Sequence, residues 1–151
     1  MGDIKYTATP SRHFSGRGLA DRDATQWAGW ALKAKIHNIY FSGDSGFGSH
    51  FLEIGEKLGP FDFAMLESGQ YNQAWSHIHM MPEETVQAGL EVNAKTVMPI
   101  HWGAFRLAPH SWTDPIDRFT VAAHKEKLPY VVPEIGNPVQ LAKITLKRSG
   151  G

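Results

Sequence analysis

The feature of this 151-residue sequence that most restricts its fold is the order of its apolar segments. In the later two-thirds, short apolar runs typical of strands alternate with segments whose apolar residues recur at helical spacing. Such alternation is typical of an α/β layer, whereas the strand-like runs nearer the start follow one another without a helix. We therefore predict an α/β fold in a single domain over residues 1–151, with a more antiparallel beginning.

Three segments carry the start and stop signals of helices. The first follows Ser49, a possible N-cap, and stops at Gly59-Pro60. The second starts at Pro82, which suits the first helical position, and the third starts at Asp114-Pro115. Apolar runs between and before them predict strands at residues 3–10, 26–34, 37–43, 61–68 and 95–102. Large aromatic side chains of these runs are expected in the core: Trp27, Trp30, Phe41, Phe61 and Phe63.

Composition restricts the partners and the chemistry. Fifteen basic and fifteen acidic residues cancel, so nucleic acid is not an expected partner. No window is apolar enough to span a membrane, and no basic, apolar leader opens the sequence, so we expect a cytoplasmic protein. Cysteine is absent, so any transition metal must be bound by imidazole and carboxylate groups.

Three candidate ligands share one context, because each follows a predicted strand and opens a loop: His13, Asp44 and His101. In α/β sheets, ligands collect beyond the carboxyl ends of the strands, so one shared site is a reasonable hypothesis. Two imidazoles and a carboxylate suit zinc, iron or manganese. The residues alone leave the alternatives open: Asp44, between Gly43 and Ser45, equally suits a turn or a cap, and each histidine equally suits an ordinary structural position.

Four ordered strings resemble the C-terminal half of the metallo-β-lactamase-fold hydrolases. The similar branch contains N-acyl-phosphatidylethanolamine phospholipase D and its bacterial RomA-like relatives, and the resemblance covers about residues 5 to 140. The strings occupy residues 9–30, 41–71, 79–90 and 98–105. The resemblance implies half of an αββα sandwich, in which a mixed sheet carries helices on one face, and a centre of two metal ions, usually zinc.

The resemblance also implies roles for individual residues. His13 resembles a histidine of the first metal site, Asp44 the carboxylate that bridges both metals, and His101 the last histidine of the second site. A metal-bound hydroxide is the family's nucleophile, so Asp44 is expected at the catalytic centre. His79 resembles a histidine near the substrate and is expected to contact substrate or transfer a proton. The turn Gly69-Gln70-Tyr71 either lines the site mouth, with Tyr71 against substrate, or is a plain turn.

One departure from the family pattern changes these expectations. The motif HxHxDH is absent, and no Asp-His follows the only closely spaced pair, His77 and His79. Compared with the family, four metal ligands are missing. Each metal site keeps one histidine and the shared Asp44, which is fewer than the three or four protein ligands that zinc sites use. We therefore expect a fragment of a hydrolase of phosphodiester, lactone or related ester bonds, inactive alone, with weak or absent zinc binding.

The missing half also has a consequence for packing. The sheet face that meets the other sheet in a sandwich would be exposed to water, so we expect a homodimer or association with the missing N-terminal half. A different reading is a metal-free structural or interaction module that dimerises through this sheet. A third is a metal site formed across a homodimer. The last few residues are expected to be mobile.

Overall fold

A computed structural model describes residues 3–16, 18 and 20–141 of the chain. They form five strands, three α-helices and one 3-10 turn at Gln73–Trp75. The strands are β1 (Lys5–Pro10), β2 (Ala28–Lys33), β3 (Asn38–Phe41), β4 (Phe63–Glu67) and β5 (Val97–Ile100). The helices are α1 (His50–Leu58), α2 (Pro82–Glu91) and α3 (Asp114–Lys125).

The strands form one mixed sheet in the order β1-β2-β3-β4-β5. The β1-β2 and β2-β3 pairs are antiparallel, whereas the β3-β4 and β4-β5 pairs are parallel. Helices α1 and α2 provide the crossovers that parallel neighbours require. The predicted α/β class and the antiparallel beginning are therefore confirmed.

The core lies between one face of this sheet and the three helices. Tyr40, Leu66 and Val97 project from neighbouring strands and are fully buried. They belong to one apolar cluster with the inward helical residues Phe51, Ile54, Val86, Ala88, Phe119 and Ala123. The helices therefore cover a single face of the sheet, as the resemblance implied.

The opposite sheet face carries a row of apolar side chains that no helix covers. Strand register places five residues side by side across the sheet: Ala8, Trp30, Phe41, Met65 and Met98. Directly opposed residues project to the same face. Trp30 is 42% exposed and Tyr6, on the same face, is 60% exposed. We refer to the row of five as the open face.

The aromatic predictions are confirmed only in part. Phe61 and Phe63 are buried, as predicted, although Phe63 projects to the same sheet face as Met65. The core prediction was wrong for Trp30, because it lies on the open face, and for Trp27, which is 36% exposed beside His13. Phe41 is partly buried on the open face.

Local signals at the helix ends are mostly confirmed. Pro82 and Asp114 begin α2 and α3, and the Glu84 carboxylate accepts the Met81 amide at 2.8 Å. The cap prediction for Ser49 was wrong, since its backbone is already helical and its side chain makes no capping hydrogen bond.

None of the helices in the described ranges is long and apolar enough to cross a membrane. The C-terminal residues expected to be mobile lie beyond residue 141, outside the described part of the chain.

Candidate active site

The loops at one edge of the sheet bring four candidate residues together. His101 Nδ1 lies 3.7 Å from Asp44 Oδ1. The His79 ring stacks on His101, with ring centroids 5.4 Å apart and an interplanar angle of 9°. The other side of His79 meets His13 edge-on at 5.3 Å. The three strand-end residues His13, Asp44 and His101 therefore lie together with His79, in a cluster of three imidazoles and one carboxylate.

The loop that carries Asp44 is shaped by two glycines. Gly43 has a φ of +63°, a backbone conformation that glycine adopts without a steric penalty. A Cβ on Gly46 would lie 2.3 Å from the carbonyl oxygen of His77, so only glycine allows these two segments to pack. Ser11 Oγ donates to the Asp44 carbonyl at 2.7 Å and ties this loop to the end of β1.

The Asp44 side chain does not cap a turn. Among the described residues, its carboxylate accepts no hydrogen bond within the usual distance, and it is only 29% exposed. Its near neighbour is the His101 imidazole. A half-buried carboxylate that faces a histidine is arranged as a ligand would be, and the turn or cap interpretation loses its support.

His13 and His101 are each held by their surroundings. Nδ1 of His13 donates to the Phe14 carbonyl at 2.7 Å, and its ring packs on Phe14 and Trp27. This contact leaves Nε2 as the ring nitrogen available to a ligand, the arrangement common in metal-binding histidines. His101 has a φ of +67°, a strained conformation for a side chain of this size.

Burial favours the neutral form of two of the site imidazoles, His79 and His101. It lowers the pKa of His79 and the pKa of His101, and the Asp44 charge opposes both shifts. The neighbouring imidazoles of His79 and His13 lower the pKa of His101 further. Neutral imidazole is the form that coordinates a metal or accepts a proton, so the site is electrostatically suited to either.

The described residues do not form a complete metal centre. Within these ranges, no group of three or more histidine, aspartate or glutamate side chains has an arrangement that could hold a metal ion. A catalytic zinc ordinarily takes three protein ligands. Asp44 and His101 offer suitable donor atoms, but the residues that the structure describes do not supply the full set.

Glu67, the last residue of β4, belongs to this site and was not predicted from the sequence. Its side chain is fully buried, with Oε1 3.1 Å from His79 Nδ1, and Oε2 accepts the Met80 amide at 2.9 Å. Burial raises its pKa well above the ordinary value, whereas the Met80 amide lowers it and the Asp44 charge raises it further. One signal was available: a carboxylate inside the apolar run FAMLE must find partners when that run is buried.

Gln70, which the sequence placed only in the turn Gly69-Gln70-Tyr71, organises the loop that follows His101. Its side-chain amide donates to the Phe105 carbonyl at 2.7 Å and accepts the amides of Leu107 and Ala108 at 2.8 and 3.1 Å. Its backbone amide donates to His110 Nε2 at 3.0 Å. Gln70 has a φ of +61° and is nearly buried, so this one residue fixes the shape of the loop.

Tyr71 lies beside this loop but is turned inward. Its hydroxyl donates to the Asp114 carboxylate, its ring stacks on His110 with centroids 4.4 Å apart, and only 5% of the residue is exposed. The Arg118 guanidinium lies 5.1 Å from the ring centre. These contacts give Tyr71 a structural role, while its contact with substrate stays a prediction.

Comparison with known proteins identifies the family. Residues 1–102 match the model of the Beta-lactamase superfamily domain. An uncharacterized protein of Mycobacterium bovis is 45% identical over 92% of this chain. Outer membrane protein RomA of Klebsiella pneumoniae is 52% identical over 62% of the chain and 70% of its own length. An N-acyl-phosphatidylethanolamine-hydrolyzing phospholipase D of Caenorhabditis elegans is 42% identical over 68% of the chain and 30% of its own length.

A solved structure shows the same fold. A metallo hydrolase from the archaeon Ignicoccus hospitalis superposes with a TM-score of 0.68 at 22% identity, over 90% of this chain and 52% of that protein. The present chain spans 38% of the mycobacterial relative. The chain therefore corresponds to about half of a structural neighbour and to less of its longer relatives.

Proposed function

The chain belongs to the metallo-β-lactamase superfamily, and on that basis we propose that it supplies one part of the active site of a metal-dependent hydrolase. The observation that carries the proposal is the cluster in which Asp44 and His101 face each other at 3.7 Å beside His79. We propose His13, Asp44 and His101 as metal ligands. The remaining ligands would come from a segment outside this sequence, in keeping with the partial coverage of its relatives.

The metal is proposed to be zinc, two ions in the complete domain. Imidazole and carboxylate are donor types that zinc accepts, and the described residues offer both. Because the set is incomplete in this chain, the proposal includes weak or absent zinc binding and no hydrolysis by the chain alone.

His79 is proposed as the proton-transfer residue. It lies between His13 and His101, its side chain is only 12% exposed, and burial lowers its pKa. A neutral imidazole near neutral pH can accept a proton and, once charged, can give it to a leaving group. Asp44 is proposed to be catalytic in the sense that it touches the reacting centre.

The proposed substrates are phosphodiesters, lactones and related esters. The C. elegans relative is named as an N-acyl-phosphatidylethanolamine-hydrolyzing phospholipase D, which supports the phosphodiester class. One fold hosts many substrates, so this class rests on likeness and not on the site itself. A cytoplasmic location and the absence of a nucleic-acid partner are proposed with it.

The open face favours a second candidate, a metal-free module that forms a homodimer. Its row of apolar side chains would be covered by a second copy or by the other half of a sandwich. A metal site formed across a homodimer is a separate, third candidate. Light scattering on the wild type and on Trp30→Lys tests the dimer that the metal-free module requires: a dimer lost in the variant supports it, and a wild-type monomer contradicts it.

The hydrolase proposal is tested by complementation. The chain is co-expressed with the part of the M. bovis relative that lies outside their shared region, and the pair is assayed on phosphodiesters and lactones with added zinc. We expect metal-dependent hydrolysis by the pair, abolished by a chelator, and none by the chain alone. Hydrolysis by the chain alone would contradict the proposed division of the site.

A further inference from the structure

Glu67 lies directly behind His79, on the side of the ring that carries Nδ1. Its Oε1 is 3.1 Å from Nδ1, and its Oε2 is already occupied by the Met80 amide at 2.9 Å. The carboxyl group is fully buried at the end of β4. Its orientation is therefore determined by the fold, with one oxygen assigned to the backbone and the other to the ring.

The backbone around Glu67 is held as firmly as its side chain. Its amide donates to Ser42 Oγ at 3.0 Å, and Thr85 Oγ1 donates to its carbonyl at 2.8 Å. Ser42 and Thr85 are both fully buried. A carboxylate supported on both sides in this way can hold the ring of a neighbouring residue in one position.

The contact with Glu67 determines which nitrogen of His79 is available. When Glu67 is ionised its oxygens only accept hydrogen bonds, so Nδ1 donates and a neutral ring then carries no proton on Nε2. Because burial raises the pKa of Glu67, this arrangement applies at a pH at which the carboxyl group is ionised. In the described part of the protein, Nε2 of His79 has no hydrogen-bond partner. The His79 ring contacts the rings of both His13 and His101, so His79 is part of the cluster.

We propose that Glu67 is a positioning residue that holds His79 by Nδ1 and keeps Nε2 free for proton transfer. The role of His79 in proton transfer rests on the hydrolase function proposed above. The hydrogen bond from His79 to Glu67 does not depend on that function. A merely structural Glu67 would anchor the Met80 amide at the start of α2 and leave the proton on either ring nitrogen. The two roles differ in one observable, the tautomer of His79.

Nitrogen NMR of histidine-labelled chain at mildly alkaline pH, with a chelator present, reads this tautomer directly. We expect wild-type His79 to be protonated at Nδ1 and bare at Nε2. In Glu67→Gln, the amide oxygen keeps the Met80 hydrogen bond and the NH₂ group faces Nδ1, so the proton moves to Nε2. Glu84→Gln is the matched control, because it removes the same charge from a carboxylate that accepts the next amide, Met81; it should leave His79 unchanged.

Three results would overturn the proposal: a wild-type His79 protonated at Nε2, a wild-type mixture of tautomers like that of free histidine, or the same tautomer in Glu67→Gln. The wild-type result decides even where Glu67→Gln does not fold. In the complemented protein, Glu67→Gln should also lower kcat by at least about tenfold with little change in KM. Since NMR needs no turnover, an inactive complex would count against the proposed function and leave the positioning test intact.

Discussion

His101 and Asp44 face each other at 3.7 Å although they follow β5 and β3, which are separated in the sheet by β4. The three strands are parallel, so their carboxyl ends lie at one edge. The loops after β3 and β5 reach over the end of β4, where Glu67 lies buried beneath His79. The site is therefore built on three adjacent strand ends, with its support in the middle one.

Zinc binding by this chain should be weak and should depend on the cluster. We expect a zinc-binding free energy much smaller in magnitude than the ~10–16 kcal/mol of complete zinc-finger sites, because only part of a ligand set is present. Titration calorimetry should show this weak binding lost in Asp44→Ala and in His101→Ala. His37→Ala, which removes a histidine at the other end of β3, should bind as the wild type does. One or more tightly held ions per chain, lost in Asp44→Ala, would contradict the expectation of an incomplete site.

Replacing Gln70 should loosen the loop after His101. Gln70→Ala removes the acceptor of two buried or half-buried amides and should cost about 1–3 kcal/mol. Hydrogen exchange should accelerate at Leu107 and Ala108 more than in β4. Gln87→Ala removes an exposed glutamine of α2 and serves as the control. Unchanged protection of both loop amides in Gln70→Ala would show that another contact holds the loop.

The helical layer should owe its stability to the inward side of α3. Phe119 is fully buried in the core and Val121 is 71% exposed on the same helix. Phe119→Ala should therefore lower the free energy of unfolding by about 3–5 kcal/mol, and Val121→Ala by less than about 0.5 kcal/mol. Urea unfolding measures both values. Similar losses in the two variants would mean that the α3 packing described here is wrong.

The ion pair between α2 and α3 should make a small, pH-dependent contribution. Two hydrogen bonds from Arg118 lower the pKa of Glu83, the Nε bond measuring 2.9 Å. A carboxyl group with a lowered pKa stabilises the fold above its unfolded pKa, and this stability is lost as the pH falls through the folded pKa.

Both side chains of this pair are partly exposed, so the contribution at neutral pH should be under about 1 kcal/mol. The free energy of unfolding should be measured for Glu83→Gln and for the wild type from neutral to acidic pH. The difference between the two values should become smaller as the pH falls. Glu56→Gln, on the exposed side of α1, should show little difference at any pH. A difference for Glu83→Gln that grows on acidification would contradict the sign.

The sequence predicts the elements better than it predicts the support of the site. Pro82 and Asp114-Pro115 act within one turn of chain, so their helix starts could be read locally. The shared edge of Asp44 and His101 followed from a general property of parallel strands. Exposure of Trp30 could not be read in this way, because it depends on which sheet face the helices cover.

The contacts of Glu67 and Gln70 could not be predicted for a different reason. Their partners, His79 and the 105–108 loop, lie 12 to 38 positions away along the chain. Such contacts have no spacing signature, and a buried carboxylate or amide shows only that some partner must exist. Identifying that partner required the positions of β4 and of the loop after β5.

The measurement that tests the central claim most directly is hydrolysis of a phosphodiester by the complemented protein with Asp44→Asn at saturating zinc. The substitution keeps the shape of the side chain and removes the charge beside His101. We predict a loss of at least about 100-fold in kcat, with the Glu84→Gln control near wild type. Full activity in Asp44→Asn would contradict the assignment of Asp44 to the metal centre.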